Sequence, residues 1–187
     1  MIETERLILR RWQERDRPAW HAMGRDPAVM EFLGPPLTPE AADAAMERQN
    51  ALIDSIGHAF WAVERREDGA FLGFCGLKPG PEGTPLFGET EIGWRFAPGY
   101  WGKGYAREAA QASLDWAWAR LDAATVAAMT VPGNTRSWGL MERLGMVRVP
   151  EQDFIHPMAP EWLNPHITYR IARPGASAVH LRASPAG

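Results

Sequence analysis

The sequence predicts an α/β fold, of the α+β kind, in which a mixed and mostly antiparallel sheet of seven strands carries helices on both faces. Two observations lead to this prediction. Residues 89–107 combine an alternating strand, a Gly-rich turn and a helix that begins with small residues. Residues 60–77 contain two strand-like runs around Asp68-Gly69, a strong hairpin signal. The chain therefore combines an antiparallel hairpin with a strand that leads through a turn into a helix.

The composition narrows the class of protein. With 187 residues and 45% hydrophobic content, the chain is long enough for one sizeable core. The formal net charge of -3 gives no general attraction to nucleic acid. The single cysteine, Cys75, cannot form an internal disulfide, and no early apolar run has signal-peptide or membrane length. We therefore expect one domain in the cytoplasm, without a membrane or nucleic-acid partner.

The first third of the chain is predicted to form one strand and three helical segments. Residues 6–12 alternate apolar and polar side chains, as a strand does. Residues 15–32 have helical spacing, but an Asp-Pro pair at positions 26 and 27 divides them into two pieces. Thr38 is a good N-cap and is followed by proline, which predicts a helix over residues 39–56.

The middle third is predicted to contain a hairpin, two further strands and a helix. A loop with three prolines and two glycines, residues 78–87, separates the hairpin from the next strand. Pro98 ends that strand's ladder because it has no N–H to donate. The predicted strands are 60–64, 70–77, 91–96 and 124–131, and the predicted helix is 103–121.

The last third is predicted to contain a helix over residues 135–144, which Gly145 ends as a C-cap. Two strands follow, at 146–149 and 166–172. Between them, residues 150–165 contain four prolines and are expected to form a long loop without secondary structure, of the kind that often serves as a functional lid. Residues 174–187 are small and polar and are expected to be a loose tail.

The turn after the fourth predicted strand has the features of an anion site. Gly102 and Gly104 let the backbone approach a ligand closely, and Lys103 lies between them. The unpaired N–H groups at the start of the following helix favour a negative charge. The expected guest is a phosphate or a diphosphate.

Two better-known phosphate loops fit this turn poorly. A Walker loop needs Ser or Thr after Gly-Lys, and Gly104 stands there. A dinucleotide fingerprint needs a third small residue at its sixth place, where this chain has Arg107, and it opens an early strand-turn-helix unit. The remaining alternative is that the glycines only make a turn.

The segment Trp101-Gly102-Lys103-Gly104-Tyr105-Ala106 resembles the acetyl-CoA diphosphate loop of the GNAT superfamily of N-acetyltransferases. Its pattern is Gln or Arg, two residues, Gly, one residue, and Gly or Ala; this chain has Trp101 at the Gln/Arg position. The wider segment looks like the branch that includes the ribosomal-protein alanine N-acetyltransferases. Residues 4–10 and 134–146 agree with that resemblance, which spans about residues 1–173.

The resemblance implies a single acyl-CoA N-acyltransferase domain over residues 1–173, with acetyl-CoA as co-substrate. It implies that the fourth and fifth predicted strands splay apart and hold acetyl-CoA between them. Backbone near Phe96 is then expected to bind the pantetheine, and residues 102–106 the diphosphate. The full set of expected cofactor-binding residues is Phe96, Trp101, Gly102, Lys103, Gly104, Tyr105, Ala106 and Asn134, with Asn134 bridging the cofactor and a helix start or only capping that helix.

Acyl transfer to an amine needs a base and an acid. Glu91 is the candidate base, acting directly or through water, because it lies closer to the splay than Glu89 does. Many members of the superfamily protonate the thiolate with a Tyr, but the matching position here is Met141. In the ribosomal alanine branch a Ser fills this role, and Ser137 matches it. Solvent remains an alternative for both steps.

Two functions are compatible with these residues. The first is an N-acetyltransferase acting on a small-molecule amine or a protein N-terminus, with residues 150–165 as one wall of the acceptor pocket. The second is a module that binds acyl-CoA without catalysis. The five histidines form no short-spaced ligand pair, so no metal is expected. A homodimer is left open.

Overall fold

The computed structural model describes residues 1–175, which form an eight-stranded sheet. Its strands are β1 (Ile2–Glu3), β2 (Leu7–Arg10), β3 (Phe60–Arg65), β4 (Phe71–Pro79), β5 (Thr90–Phe96), β6 (Thr125–Thr130), β7 (Val147–Arg148) and β8 (Ile167–Ala172). In space they follow the order β1-β2-β3-β4-β5-β6-β8-β7. All neighbouring strands are antiparallel except β5 and β6, which run parallel. The predicted mixed, mostly antiparallel fold is confirmed.

Helices cover both faces of this sheet. They are α1 (Arg17–Arg25), α2 (Pro27–Met30), α3 (Pro39–Ile56), α4 (Tyr105–Arg120) and α5 (Thr135–Arg143). Local signals set the bounds of α3, because the Thr38 hydroxyl accepts from the Ala41 N–H at 3.2 Å and Gly57 ends the helix at a φ of 82°. Within the described residues, no helix has both the length and the apolar character needed to cross a membrane.

The two parallel strands separate soon after they meet. Their ladder contains only the pairs Thr90 with Val126 and Glu91 with Ala127. Beyond Glu91, β5 continues to Phe96 and stays paired with β4 on its other side. The edge of β5 that faces β6 is therefore left without a strand partner, as the expected splay requires.

The sheet carries a separate apolar core on each face. One core joins Ile92 and Leu77 to Ala109 and Leu114 of α4. The small inner residues of α4 allow a close approach, and the Cys75 Sγ lies 3.8 Å from the Ser113 Oγ. Burial raises the pKa of the Cys75 thiol to about 12, which fits an inert core residue. The other core forms under α1 and α3 from Trp12, Trp20, Met23, Ala42, Met46 and Ala62.

Two predictions about secondary structure need correction. The sheet has eight strands and not seven, because β1 is two residues long and too short to give a periodic signal. Residues 150–165 are not without structure: they contain 3-10 turns at Pro150–Gln152 and Glu161–Leu163, and Phe154 forms a β-bridge with His166. Of the predicted tail, residues 176–187 lie outside the described residues.

Candidate active site

A cavity of about 680 Å³ lies where β5 and β6 separate. Its walls come from α2 and the turn after it, the end of β5, the Gly-rich turn with the start of α4, and one side of α5 from its start to Arg143. Eight of the ten residues predicted for the site line it: Phe96, Trp101, Gly102, Gly104, Tyr105, Ala106, Asn134 and Ser137. Lys103 and Glu91 do not.

The Gly-rich turn presents a run of free backbone donors. Gly102 and Gly104 have φ angles of 72° and 82°, in the left-handed region that glycine tolerates best. The first helical bond of this turn runs from the Glu108 N–H to the Gly104 carbonyl at 3.0 Å. Among residues 1–175, no backbone acceptor takes the N–H groups of residues 102–107. Free N–H groups at the start of a 16-residue helix favour a negative charge, as the sequence predicts for this turn.

Trp101 connects this turn to the end of β5. Its indole N–H donates to the Phe96 carbonyl oxygen at 2.7 Å. The Arg136 guanidinium lies 4.4 Å from the centre of the Trp101 ring, in a cation-π contact. Tryptophan at the Gln/Arg position of the loop pattern thus links the turn to β5 through a hydrogen bond and contacts the Arg136 guanidinium with its ring face.

Arg136 is a site residue that the sequence reasoning missed. It lies in the first turn of α5, where a positive charge is unfavourable beside the positive end of the helix dipole. Its ion pair with Glu31, at 3.7 Å, is long and exposed. The misplaced charge is the signal that could have identified it, because an anionic ligand at the α5 N-terminus would reverse the penalty.

The N-terminal motif at residues 4–10 helps to hold the start of α4 in place. The Thr4 hydroxyl donates to the Glu108 Oε1 at 2.6 Å, and the Arg6 Nε donates to Oε2 at 2.6 Å. Burial acts to raise the pKa of Glu108, but the hydrogen bonds from Thr4 and Arg6 outweigh it and hold that pKa below its usual value. Residues about 100 positions apart in sequence thereby hold the Gly-rich turn and the start of α4 in place.

The beginning of α5 presents Ser137 to the cavity. The Asn134 side chain caps this helix by accepting from the Ser137 N–H at 3.3 Å. The Ser137 side chain itself is half-buried and lines the cavity. Met141, one turn later, is only 2% exposed and belongs to the core beneath α4 and α5. Of these two positions, only Ser137 faces the cavity.

Glu91 lies at the closed end of the splay and is 7% exposed. The Lys78 ammonium is 2.6 Å from its Oε2. Burial raises the pKa of the Glu91 carboxyl, and the lysine charge opposes that rise. Glu89, the rejected alternative, is held by the Arg170 guanidinium at 2.9 and 2.7 Å. Because Glu91 does not line the cavity, a route through water is the form in which it could act on an amine there.

The loop at residues 150–165 does not form a wall of this cavity, contrary to expectation. The corresponding wall comes from Ala28, Val29, Phe32 and Leu33, on α2 and the turn after it. Burial, and secondarily the charge of Lys78, lower the pKa of His156 in the loop. His156 in the loop therefore lies near Lys78, and the loop lies outside the cavity lining.

The separated parallel strands and the free donors of the turn fit the class of protein that the sequence resemblance implies, the acyl-CoA-dependent acyltransferases. The chain belongs to the GNAT acetyltransferases: residues 6–147 match the family model described as an acetyltransferase (GNAT) domain. The uncharacterized N-acetyltransferase YnaD of Bacillus subtilis is 30% identical over 163 residues, 86% of this chain and 91% of that protein. The FsC-acetyl coenzyme A-N(2)-transacetylase of Aspergillus fumigatus is 30% identical over 155 residues, 79% of this chain and 65% of that protein.

Solved structures agree with this assignment. An acetyltransferase from Agrobacterium tumefaciens has a TM-score of 0.74 and 30% identity, covering 91% of this chain and 92% of its own. A ribosomal-protein-S5-alanine acetyltransferase from Vibrio fischeri has a TM-score of 0.72 but 16% identity, covering 94% and 97%, so that likeness shows the fold alone. The family uses acetyl-CoA, and its members named here are acetyltransferases. The chain is therefore an acetyltransferase, which favours the enzyme over the non-catalytic module.

Replacing Gly104 by valine is expected to weaken CoA binding by at least about tenfold, or about 1.4 kcal/mol. A branched side chain is strained at a φ of 82° and would stand between the diphosphate and the N–H groups. The measurement is the dissociation constant for CoA by titration calorimetry.

Gly57→Val is the matched control, because Gly57 has the same φ and ψ as Gly104 but lies at the end of α3, where an added Cβ meets no atom within 4 Å. This variant has the same backbone strain, but its side chain does not obstruct the predicted diphosphate site. Equal CoA affinity of the parent and a folded Gly104→Val protein would mean that the glycines serve only to make a turn.

Proposed function

We propose that the protein transfers the acetyl group of acetyl-CoA directly to a primary amine, carried by a small molecule or by a protein N-terminus. The observation that carries this proposal is the continuity of one cavity. It joins the free N–H groups of the turn, the unpaired end of β5 and the Ser137 side chain. The name of the Aspergillus relative, which specifies transfer to a nitrogen, supports it.

The residues of the cavity fit acetyl-CoA. The N–H groups of residues 102–107 suit a diphosphate, and Arg107 on α4 and Arg136 and Arg143 on α5 supply positive charge around the cavity. The unpaired edge of β5 beyond Glu91 offers extended backbone to the two amides of pantetheine. In this arrangement Asn134 keeps α5 capped at the cavity edge.

The proposed reaction forms one C–N bond and breaks one C–S bond. Glu91, through water, accepts the proton that makes the amine a nucleophile, and the raised pKa of its carboxyl suits a base that works near neutral pH. The amine attacks the thioester carbonyl, and the Ser137 hydroxyl supplies the proton that the departing thiolate needs. Each assignment can be tested by one substitution.

CoA and acetyl-CoA are expected to raise the melting temperature, whereas NAD and ATP are not. At a hundredfold excess over the dissociation constant, binding should add about 2.7 kcal/mol to the free energy of unfolding. The measurement is thermal unfolding with each ligand. Stabilisation by NAD without stabilisation by CoA would contradict the proposal.

The acceptor class can be found by measuring thiol release from acetyl-CoA with candidate amines. Amino acids, polyamines, aminoglycosides and peptides with free N-termini cover the main chemical types. Thiol release that depends on an added amine, together with an N-acetylated product, establishes direct transfer. Binding of CoA without turnover on any amine would support the non-catalytic alternative.

A further inference from the structure

Arg95 differs from the other arginines on the sheet. Five arginines lie on strands within residues 1–175, and four of them pair with a carboxylate: Arg10 with Asp16 and Glu64, Arg65 with Asp68, Arg148 with Asp153, and Arg170 with Glu89. Arg95, on β5, has no carboxylate partner in the described part of the chain. Arg95 is only partly exposed and its Nε is buried. A guanidinium withdrawn from water without a counter-charge is costly, so its presence needs an explanation.

The surroundings of Arg95 hold the side chain without neutralising it. The guanidinium lies 5.2 Å from the Trp20 ring and 5.5 Å from the Phe74 ring. Its Nη1 contacts the Met30 Sδ at 3.9 Å, and its buried Nε has no hydrogen-bond partner. Burial lowers the pKa of Arg95 to about 10, so the group remains charged at neutral pH.

Arg95 borders the same cavity, beside Val29 and Phe32. Side chains alternate along β5, so Arg95 shares a face with Glu91, and Trp94 and Phe96 point to the other face. That other face carries α4, whose start binds the diphosphate, whereas Trp20 and Phe74 pack on the face of Arg95. The anion that Arg95 could bind therefore lies on the Glu91 side of the sheet, away from the diphosphate turn.

We propose that Arg95 binds the carboxylate of the acceptor, and that the acceptors are amines that also carry a carboxylate, such as amino acids and ω-amino acids. This inference rests on the proposed acetyl transfer. Arg95 and Glu91 are separated by four strand residues, about 13 Å between their backbones, and the Phe60 ring covers Gly93 between them. An amine whose carboxylate is held at Arg95 therefore lies in the cavity and exchanges its proton with Glu91 through water. The same fixed positive charge disfavours polyamines. A planar carboxylate matches the forked donors of arginine.

The test compares amines that differ only in the anionic group. Glycine, β-alanine, 4-aminobutyrate and the L-amino acids are each paired with their carboxamides, and putrescine and 2-aminoethylphosphonate complete the set. For the best pair, kcat/KM of the parent is expected to favour the acid over the amide by at least about tenfold, as for a charge-assisted hydrogen bond. Equal or faster acetylation of the amides, putrescine or the phosphonate would overturn the proposal.

Three variants assign the preference to Arg95. In Arg95→Met, the ratio of kcat/KM for acid over amide is expected to fall to about one, and in Arg95→Lys to an intermediate value, because a lysine keeps the charge without the fork. Arg25→Met removes an equal charge from an exposed position at the end of α1 and should keep the parent's ratio. If Arg95 only packs against its aromatic neighbours, Arg95→Met will lower the melting temperature and leave the ratio unchanged, and the proposal falls.

A binding measurement separates this proposal from the proposed function. The same amines are added to each protein in saturating CoA, and the melting temperature is recorded. If the acids stabilise the parent complex but not the Arg95→Met complex while no amine is acetylated, acetyl transfer is wrong and the Arg95 assignment stands. If amines are acetylated but neither turnover nor stabilisation depends on the carboxylate, the Arg95 assignment is wrong and acetyl transfer stands.

Discussion

Replacing Glu91 by glutamine is expected to lower kcat near neutral pH by about a hundredfold or more, the usual scale of one general base. Glutamine nearly preserves the shape of the side chain but cannot accept a proton at this pH. The defect should shrink as pH rises, because more of the amine is then neutral without help. The measurement is kcat across about pH 6 to pH 10, a range that spans the titration of the base and of common amines.

Lys78→Met provides a second test of the same base, through the pKa of Glu91. Burial raises this pKa, and the ammonium 2.6 Å away holds it down. Removing the lysine charge should therefore raise the pKa further and leave more of the base protonated at neutral pH. The acidic limb of the pH–rate profile should move to higher pH, and the loss of rate should be larger at low pH than at high pH.

The two variants together distinguish Glu91 from solvent. A base at Glu91 predicts that the acidic limb moves in Lys78→Met and is weakened or lost in Glu91→Gln. If both proteins turn over at the parent rate over the whole range, water removes the amine proton without Glu91. The paired Glu89 would not replace it, because its carboxylate is engaged by Arg170.

Features encoded by neighbouring residues were predictable from the sequence. The helix α3 follows from Thr38 and the proline after it, and the structure gives Pro39–Ile56, the predicted 39–56. The Gly-rich turn was predictable for the same reason, because its glycines and the helix after it are consecutive. Such signals depend on local backbone preferences and need no knowledge of the tertiary contacts.

Features that depend on distant residues were not predictable in this way. Glu108 holds the Gly-rich turn in place through its hydrogen bonds with Thr4 and Arg6, and no periodic pattern connects these positions. Arg136 reaches Trp101 from another element. The missing counter-charge of Arg95 becomes visible only when every neighbouring side chain is in place. These parts of the site required the three-dimensional arrangement.

Ser137→Ala is expected to lower kcat by about a hundredfold or more while leaving CoA affinity nearly intact. The substitution removes the hydroxyl that faces the cavity but keeps the backbone N–H that Asn134 caps, so α5 should retain its position. Ser137→Thr, which keeps a hydroxyl, should recover part of the rate. The measurements are kcat with the best acceptor and the dissociation constant for CoA, for all three proteins.

Met141→Tyr tests whether a tyrosine at the more common position could replace Ser137. Met141 is 2% exposed inside the core, so a phenol there would overpack the core and is expected to cost about 1–3 kcal/mol of stability. Added to Ser137→Ala, it should not restore the rate, because it has no path to the cavity. Rescue by Met141→Tyr would show that α5 can turn this position toward the thiolate. A parent-like kcat in Ser137→Ala alone would instead mean that solvent protonates the thiolate, because the substitution removes only the Ser137 hydroxyl.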